Sequence, residues 1–418
     1  MSIKNKEQKI VLLMGRGIEG TGNTRFTIEL QDQLIREGHD AKTIANNEKK
    51  WGRTQSQVNN IIEHNFKKDG PLEVEDDVNH VIITSVPAKS KAYTEQGKDN
   101  FLETLEKYKE KGAKLTYIQV DHKIHSISRN FYREEKYMFP FFNLLDLIIT
   151  HNLNNDFNQK FIKRFLPEDY DVPVVERVAI GADMTEFENL RKKASEKIDK
   201  SIMFIGRSAG WKGFQTLRDV QYSHLRFHGY KTIIEGIELS IGVLGDLYTQ
   251  TKPERIQRPD TIHKFNENDQ LEVLKDNSIE NPSAYIYGPY NRNEAIERMS
   301  NVKFGYFGTF IGAQYGGVLE NTLLEIVNAG TIPIIRKELY DSATFNEHRL
   351  NDFSPREIGL LVYDSEDPLQ LVEDMNFYDE NDEEYDKLFN NAIKFFTKYL
   401  DKKVLISQIT DVIIKQGE

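Results

Sequence analysis

Residues 202–214 read IMFIGRSAGWKGF and combine an apolar run, a glycine-bounded turn and the start of a new segment. The first four residues are apolar, which is typical of a strand buried on both faces of a parallel sheet. Arg207 and Lys212 stand in the turn that follows. A planar guanidinium and a compact ammonium together suit a diphosphate, which needs separate donors for its two charged groups. The alternative is a pair of surface cations beside an ordinary turn.

Similar short apolar runs recur along the chain, and stretches of helical spacing lie between them. Strands that alternate with helices predict βαβ units and doubly wound parallel sheets, in which ligands bind beyond the carboxyl ends of the strands. The strand-like runs are 9–14, 80–87, 114–122, 146–151, 201–207, 284–289, 303–308 and 331–336, and the helical stretches include 23–38, 98–112, 319–330 and 388–416.

The domain organisation follows from length and from one break in the pattern. A chain of 418 residues is too long for one ordinary core, so two domains are expected. Residues 186–200 contain few large apolar side chains and are interpreted as a linker or an exposed helix. We predict domains at 1–187 and 188–387, followed by C-terminal helices at 388–418.

Composition narrows the class of protein. With 39% hydrophobic and 29% charged residues the chain is predicted to be globular, and with no cysteine it has no disulfide or thiolate metal site. No apolar run approaches the roughly 20 residues that span a bilayer, so a cytoplasmic protein is expected. The net charge of −11 argues only weakly against nucleic acid as a partner, because binding depends on the local field.

A glycine-rich loop, MGRGIEGTGNTRF at 14–26, follows the first strand. The spacing of Gly15, Gly17 and Gly20 matches the dinucleotide fingerprint G-x-G-x-x-G. The second strand, however, ends in Asn-Asn-Glu and offers no convincing ribose carboxylate. The loop is therefore a plain strand-to-helix turn, a nicotinamide site, or a loop whose backbone approaches another ligand in a cleft.

Two further strand ends carry candidate functional side chains. Asp121 and His122 stand side by side after an apolar strand, and both residue types handle protons; the alternative is a helix N-cap beside a solvated histidine. Glu320 falls in the first turn of a predicted helix, where the dipole favours an acid. Glu325 lies among apolar neighbours, so its carboxylate needs a partner, either a pair of sugar hydroxyls or a neighbouring cation.

Together these segments resemble the retaining GT-B glycosyltransferases, which share the strand-end Arg–Lys pair and a later L-E-x-x-x-A-G-x-x-P motif, here residues 324–333. Within that class the chain is similar to the T-even phage DNA α-glucosyltransferase family, which glucosylates 5-hydroxymethylcytosine in duplex DNA. The similar segments occur in the family's order, at 14–26, 83–90, 120–130, 149–158, 205–214, 232–238 and 319–334.

The resemblance implies a transferase of α/β GT-B fold, with two Rossmann-like domains facing across a cleft. Residues 1–187 would bind DNA, 188–387 would bind a UDP-sugar, and the last helices would cross back to the first domain. The implied donor is UDP-glucose, or a UDP-pentose such as UDP-arabinose, and the acceptor is double-stranded DNA with modified cytosine. A monomer in the cytoplasm of an infected cell is expected, without prosthetic group or membrane partner.

The resemblance also implies residue roles. Arg207 and Lys212 would hold the diphosphate and stabilise the leaving group, and Asp121 and His122 would lie at the reacting centre. Glu325 would bind the ribose hydroxyls. Contacts to the donor would come from the glycine loop, through Gly17, Glu19, Gly20 and Gly22, and from Glu320 in the first turn of the predicted helix. Contacts to DNA would come from Arg129, Arg133 and Lys136.

No D-x-D motif stands at a strand end, so no catalytic metal is expected. The chain departs from its family at several positions. The wider retaining family has a second glutamate where this chain has Gly317, the phage enzyme has a histidine where it has Val120 and an arginine where it has Leu239, and 248–275 has no clear match. These departures leave the donor sugar open. A GT-B transferase with a glycan or lipid acceptor and an inactive nucleotide- or DNA-binding module are the alternatives.

Overall fold

The structure is a computed structural model, and the contacts between its α-carbons divide the chain into two compact units. Unit 1 comprises Met1–Ala179 and Lys403–Glu418, and unit 2 comprises Ile180–Lys402. The structure describes residues 7–15, 22–46, 61–87, 95–119, 135–150, 163, 174–177, 181–205, 213–235, 261–265, 271–274, 284–286, 292–308, 321–345 and 348–415.

Unit 1 is built on a parallel sheet whose order, β3-β2-β1-β4-β5-β6-β7, reverses direction between β1 and β4. Every described pairing in this sheet is parallel. In the first strand Ile10 to Met14 are fully buried, as a continuous apolar run covered on both faces should be. The strands are β1 (Lys9–Met14), β2 (Asp40–Asn46), β3 (Ile61–His64), β4 (His80–Ser85), β5 (Lys114–Gln119), β6 (Leu147–Thr150) and β7 (Val174–Arg177).

Helices connect these strands and cover the sheet. The core between sheet and helices includes Phe101 and Leu105 from one helix and Phe141 and Phe142 from another. The described helices of unit 1 are α1 (Gly22–Arg36), α2 (Glu95–Glu110) and α3 (Glu135–Leu144), and the C-terminal helix, Lys402–Lys415, enters this unit at Lys403.

Unit 2 has a second doubly wound sheet, of order β11-β10-β12-β9-β8-β13-β14-β17. Its pairings are parallel except those of β10, which runs antiparallel to β11 and β12 at one edge. The strands are β8 (Ile198–Ile205), β9 (Lys231–Glu235), β10 (Thr261–Phe265), β11 (Leu271–Leu274), β12 (Ala284–Ile286), β13 (Val302–Phe307), β14 (Ile332–Arg336) and β17 (Leu361–Tyr363), with a separate hairpin of β15 (Thr344–Phe345) and β16 (His348–Arg349).

The helices of unit 2 complete its layers. The longest of them buries Tyr385, Leu388 and Phe389 in the core of this unit, together with Ile202 and Phe304 of the sheet. The helices are α4 (Phe214–Ser223), α5 (Arg292–Ser300), α6 (Asn321–Asn328), α7 (Lys337–Ser342), α8 (Pro355–Ile358), α9 (Pro368–Glu380) and α10 (Asp382–Leu400), and α11 is the C-terminal helix Lys402–Lys415.

The helical stretch predicted at 388–416 is broken in two. Asp401, between α10 and α11, has an extended backbone with φ −65° and ψ 134°. It forms an isolated parallel bridge with Ala182, and its carboxylate accepts a hydrogen bond from the amide of Met184 at 3.2 Å. Helical periodicity continues through this position in the sequence, so the break results from pairing with distant residues. The predicted segment 388–418 is thus divided between the two units: α10 belongs to unit 2, and the residues from Lys403 onward belong to unit 1.

The segment 186–200, interpreted from the sequence as a linker or exposed helix, has neither form. It contains two short 3₁₀ turns, Glu188–Leu190 and Ala194–Glu196, and then begins strand β8. By contrast, each of the apolar runs noted in the sequence forms a strand. The two sheets confirm the predicted class of two doubly wound α/β domains. No helix that the structure describes has the length and apolarity needed to cross a membrane.

Candidate active site

The predicted site residues occupy connections at the carboxyl ends of parallel strands, and most of these connections lie outside the described residues. Glu325 is described in full. Gly22 is the first residue of α1 and Lys136 is the second of α3, with the backbone alone described. The predicted residues outside the described part of the chain are Gly17, Glu19, Gly20, Asp121, His122, Arg129, Arg133, Arg207, Lys212 and Glu320.

The start of the glycine loop is held by close contact between two strand ends. The amide of Gly15 donates to the carbonyl of Ser85 at 2.7 Å. A Cβ atom at Gly15 would lie 2.6 Å from the Cδ of Pro87. Glycine is therefore required here because β1 and β4 converge at their carboxyl ends. This contact accounts for glycine at the first position of the fingerprint spacing.

The segment with Asp121 and His122 leaves from one anchored point and returns at another. Before it, Gln119 ends β5 and is buried, and its side-chain oxygen accepts a hydrogen bond from the Tyr117 hydroxyl at 2.8 Å. After it, α3 brings Phe141 against the Tyr117 ring in an edge-on contact, with centroids 5.5 Å apart. Packing of α3 on β5 thus holds together the two elements that flank this segment in the sequence.

The turn with Arg207 and Lys212 leaves β8 after Ile205 and returns at Gly213. Gly213 has φ 75°, in the left-handed region, and is the N-cap of α4. A Cβ atom here would lie 2.0 Å from the carbonyl oxygen of Gly308, which directly follows β13. Gly213 therefore lies against the neighbouring strand end, at the point where strand order reverses in unit 2 and where open α/β sheets bind ligands.

Glu325 lies in α6, whose other residues pack into unit 2. Its neighbours Leu324 and Ile326 are fully buried, whereas Glu325 itself is half-buried. The helix ends in a turn at Gly330, whose φ of 90° is the left-handed conformation common after helices. Glu325 is thus presented at a fixed position on a short helix between β13 and β14.

Two residues that the sequence did not single out hold the end of this helix. Asn328 is buried, and its side-chain amide donates to the carbonyl of Asp183 at 2.6 Å. Arg191 donates to Asn328 and also to the carbonyl of Met184. Asn328 lies inside the L-E-x-x-x-A-G-x-x-P motif, so the motif could have pointed to it. Arg191 lies in the segment interpreted as a linker, and no sequence pattern marks it.

Among the described residues, no group of three or more His, Cys, Asp or Glu side chains is placed to hold a metal ion. A cavity of about 530 Å³ lies beside the edge strand β17, and none of the predicted site residues lines it. It is bordered by residues of both charges, including Lys337, Arg356 and Asp374.

Two doubly wound α/β units are the architecture of the GT-B class of glycosyltransferases, and solved structures of that class match this chain. A family profile described as DNA alpha-glucosyltransferase matches residues 21–379. The chain therefore belongs to the DNA alpha-glucosyltransferase family. This confirms the resemblance read from the sequence and the prediction that the protein is a DNA glycosyltransferase.

Individual proteins that are similar to this chain are consistent with the family assignment. The DNA alpha-glucosyltransferase of Enterobacteria phage T4 is 27% identical over 422 residues, covering 97% of this chain and 100% of the relative. An alpha-glucosyltransferase solved with UDP-glucose and DNA containing an abasic site matches with a TM-score of 0.78 and 26% identity, covering 98% of this chain and 100% of the other. One solved with UDP and a 13-mer DNA containing a HMU base has a TM-score of 0.76, 26% identity and the same coverage.

Proposed function

We propose that this enzyme transfers a sugar from a UDP-sugar to 5-hydroxymethylcytosine in duplex DNA, with retention of configuration at the anomeric carbon. The observation that carries the proposal is the family match over residues 21–379, together with similar structures that contain UDP-glucose and DNA. The T4 relative is named an α-glucosyltransferase. Because UDP-glucose is itself an α-glycoside, an α-linked product corresponds to retention.

Glucose is the donor sugar that the similar structures favour. A pentose such as arabinose is the alternative, because Gly317 stands where the wider retaining family has a glutamate. Contacts to the sugar then come from Glu320, from backbone amides, or from the glycine loop with Gly17, Glu19, Gly20 and Gly22.

The chemistry requires stabilisation of a departing diphosphate. As the bond from the anomeric carbon to the diphosphate oxygen breaks, negative charge builds on that oxygen. We assign Arg207 and Lys212 to this oxygen, where each preorganised cation contributes on the order of a hundredfold in rate. The acceptor hydroxyl attacks from the face that the diphosphate leaves, and a diphosphate oxygen takes the acceptor proton. Asp121 and His122 orient the acceptor hydroxyl and the sugar.

We assign DNA to residues 1–187 and the UDP-sugar to residues 188–387, where Glu325 binds the ribose hydroxyls. A base inside a duplex must be flipped out or strongly displaced before a buried site can reach it, and phosphate contacts offset that cost. Arg129, Arg133 and Lys136 follow Asp121 and His122 closely enough in sequence to supply such contacts.

A second candidate for DNA contact is the basic stretch 251–264, in the region without a clear family match. Its last residues form β10, where Lys264 is paired in register with Glu272 of β11. The hairpin of β10 and β11 lies at one edge of the unit 2 sheet. A solvated surface is the alternative.

The test is transfer of label. The protein is incubated with radiolabelled UDP-glucose or UDP-arabinose and with duplex DNA that contains either 5-hydroxymethylcytosine or plain cytosine. We expect label only in the hydroxymethylated duplex, and from one donor far more than from the other. Label in neither duplex, combined with transfer to a glycan or lipid acceptor, would favour the alternative GT-B reaction. UDP binding without transfer to any acceptor would favour an inactive binding module.

A further inference from the structure

Helix α2 carries a buried lysine in its first turn. Lys98 is 7% exposed, and its Nζ lies 4.9 Å from the centroid of the Tyr137 ring. Tyr137 is 2% exposed and lies in the first turn of α3. Helix α2 follows β4 and α3 follows β5, so both first turns lie at the carboxyl edge of the unit 1 sheet. This is the edge where the predicted reacting centre leaves the sheet.

Other buried lysines in the described part of the chain have oxygen partners. The Nζ of Lys303 lies 2.9, 3.4 and 3.5 Å from the carboxylates of three aspartates. The Nζ of Lys197 donates to the carbonyls of Ser300 and Val302, at 2.7 and 3.4 Å. Lys98 has the Tyr137 ring, and no carboxylate of the described residues lies within ion-pair distance of its Nζ.

Among the described residues, no carboxylate compensates the buried ammonium of Lys98. Taking an ammonium out of water costs more than one cation–π contact returns. The first turn of a helix is also the positive end of its dipole, which disfavours the ammonium; Glu95 in the same turn is exposed and forms no ion pair with Lys98. An anion bound beside Lys98 would be attracted by both the ammonium and the helix terminus.

We propose that Lys98 binds a phosphate group of a substrate at the carboxyl edge of the unit 1 sheet. The proposal rests on the proposed function, which supplies two sources of phosphate, the DNA backbone and the donor diphosphate. The turn of α3 that contacts Lys98 also holds Lys136, a predicted DNA contact, and this favours the DNA backbone. Tyr137 keeps the ammonium in place between the two helices.

The test compares Lys98→Met with the matched control Lys107→Met. Lys107 lies on the same helix, is 38% exposed and pairs with Glu103 at 2.8 Å, so its loss should change neither ligand. Binding of hydroxymethylated duplex is measured by anisotropy across a salt series, UDP binding by calorimetry, and folding by thermal unfolding. Lys98→Met should unfold at the same or a higher temperature than the parent, because a buried charge is removed.

The expected result is a loss of DNA affinity of about tenfold near 0.1 M salt, with a salt slope shallower by about 0.9, as for one lost phosphate contact. UDP affinity should stay within about twofold of the parent's. A loss of UDP affinity with DNA binding unchanged would instead place the donor diphosphate at Lys98. Unchanged binding of both ligands by a folded Lys98→Met protein would overturn the proposal.

Failure of the proposed function is distinguishable from failure of this inference. If the parent neither binds duplex nor transfers sugar, the proposed function fails. The inference is then decided with inorganic pyrophosphate, titrated into protein that carries Arg207→Ala and Lys212→Ala. Pyrophosphate binding that Lys98→Met weakens at least fivefold, and Lys107→Met does not, supports an anion site at Lys98. Equal pyrophosphate binding in both variants would overturn it.

Discussion

Arg191 donates two hydrogen bonds to Asn328, from Nε to the backbone carbonyl and from a terminal guanidinium nitrogen to the side-chain oxygen, both at 3.1 Å. Asn328 ends the helix that carries Glu325. Arg191 belongs to the segment that joins the first residues of unit 2 to its first strand. A residue far away in sequence thus fixes the end of the helix assigned to the nucleotide.

Arg191→Ala should lower the affinity for UDP about tenfold and leave turnover at saturating donor within about threefold of the parent's. The variant leaves three carbonyl or amide oxygens without their donor, so α6 should shift and Glu325 with it. Arg191→Lys should recover part of the affinity, and Lys193→Ala, an exposed change nearby, should have no effect. Calorimetry and initial rates give the two quantities. Equal UDP affinity in Arg191→Ala would separate α6 from nucleotide binding.

Gly213→Ala should be far more damaging than Gly229→Ala, although both glycines have positive φ, 75° and 80°. At Gly229 the nearest atom to a new Cβ is 3.7 Å away, so the cost is that of the left-handed backbone, about 1 kcal/mol. At Gly213 the new atom would lie 2.0 Å from the Gly308 carbonyl, so the turn must move. Turnover should fall at least tenfold in Gly213→Ala alone. Denaturant unfolding and transfer assays would show similar effects at both glycines if this contact were unimportant.

Arg207→Ala and Lys212→Ala should each lower turnover by roughly a hundredfold, through loss of charge at the leaving diphosphate. Lys387→Ala is the control, because Lys387 is 68% exposed and its pair with Glu384 is long, at 3.5 Å. Turnover is measured with saturating donor and hydroxymethylated duplex, and folding is checked by thermal unfolding. Parent-like turnover in both variants would remove the diphosphate assignment.

Lys197 should make stability depend on pH above neutrality. Burial lowers its pKa to about 7, well below that of an unfolded lysine. Below pH 7 both states are protonated and the folded state bears the full cost of the buried charge. As pH rises from 7 towards 10 the unfolded state alone keeps the proton, so the free energy of unfolding increases, by at most about 1.4 kcal/mol per pH unit. Lys197→Met should remove this increase, whereas Lys193→Met should keep it. Chemical denaturation at several pH values measures the difference.

Lys303→Met should destabilise the protein, by about 3–5 kcal/mol, because it leaves negative charge buried without its partner. Lys303 is almost fully buried, and Asp379, also buried, lies 3.4 Å from its Nζ. Burial alone would lower the pKa of Lys303, but Asp199 and Asp379 raise it above the usual value. The double variant Lys303→Met with Asp379→Leu should recover part of the loss in denaturant unfolding. A stable single variant would mean that Asp379 has another source of compensation.

The strands and the family were accessible from local sequence. Continuous apolar runs such as 9–14 and 303–308 are required wherever a parallel strand is covered on both faces, so the pattern itself predicts the strand. The segments around Arg207 and Glu325 combine glycines, charges and a helical motif within a few residues, and this local combination identified the family. The close contact of Gly15 with Pro87 was not accessible in this way, because Pro87 follows a different strand, β4.

The sequence alone determined that the chain forms two doubly wound α/β domains and belongs to the glycosyltransferases, because burial patterns and strand-end motifs are properties of consecutive residues. The tertiary structure decided those features that depend on contacts between residues distant in the chain. It broke the C-terminal helix at Asp401 through pairing with Ala182, and it made Arg191 a support for the Glu325 helix. It also left Lys98 buried against Tyr137. None of these contacts has a local periodicity, since each forms only when separate elements pack together.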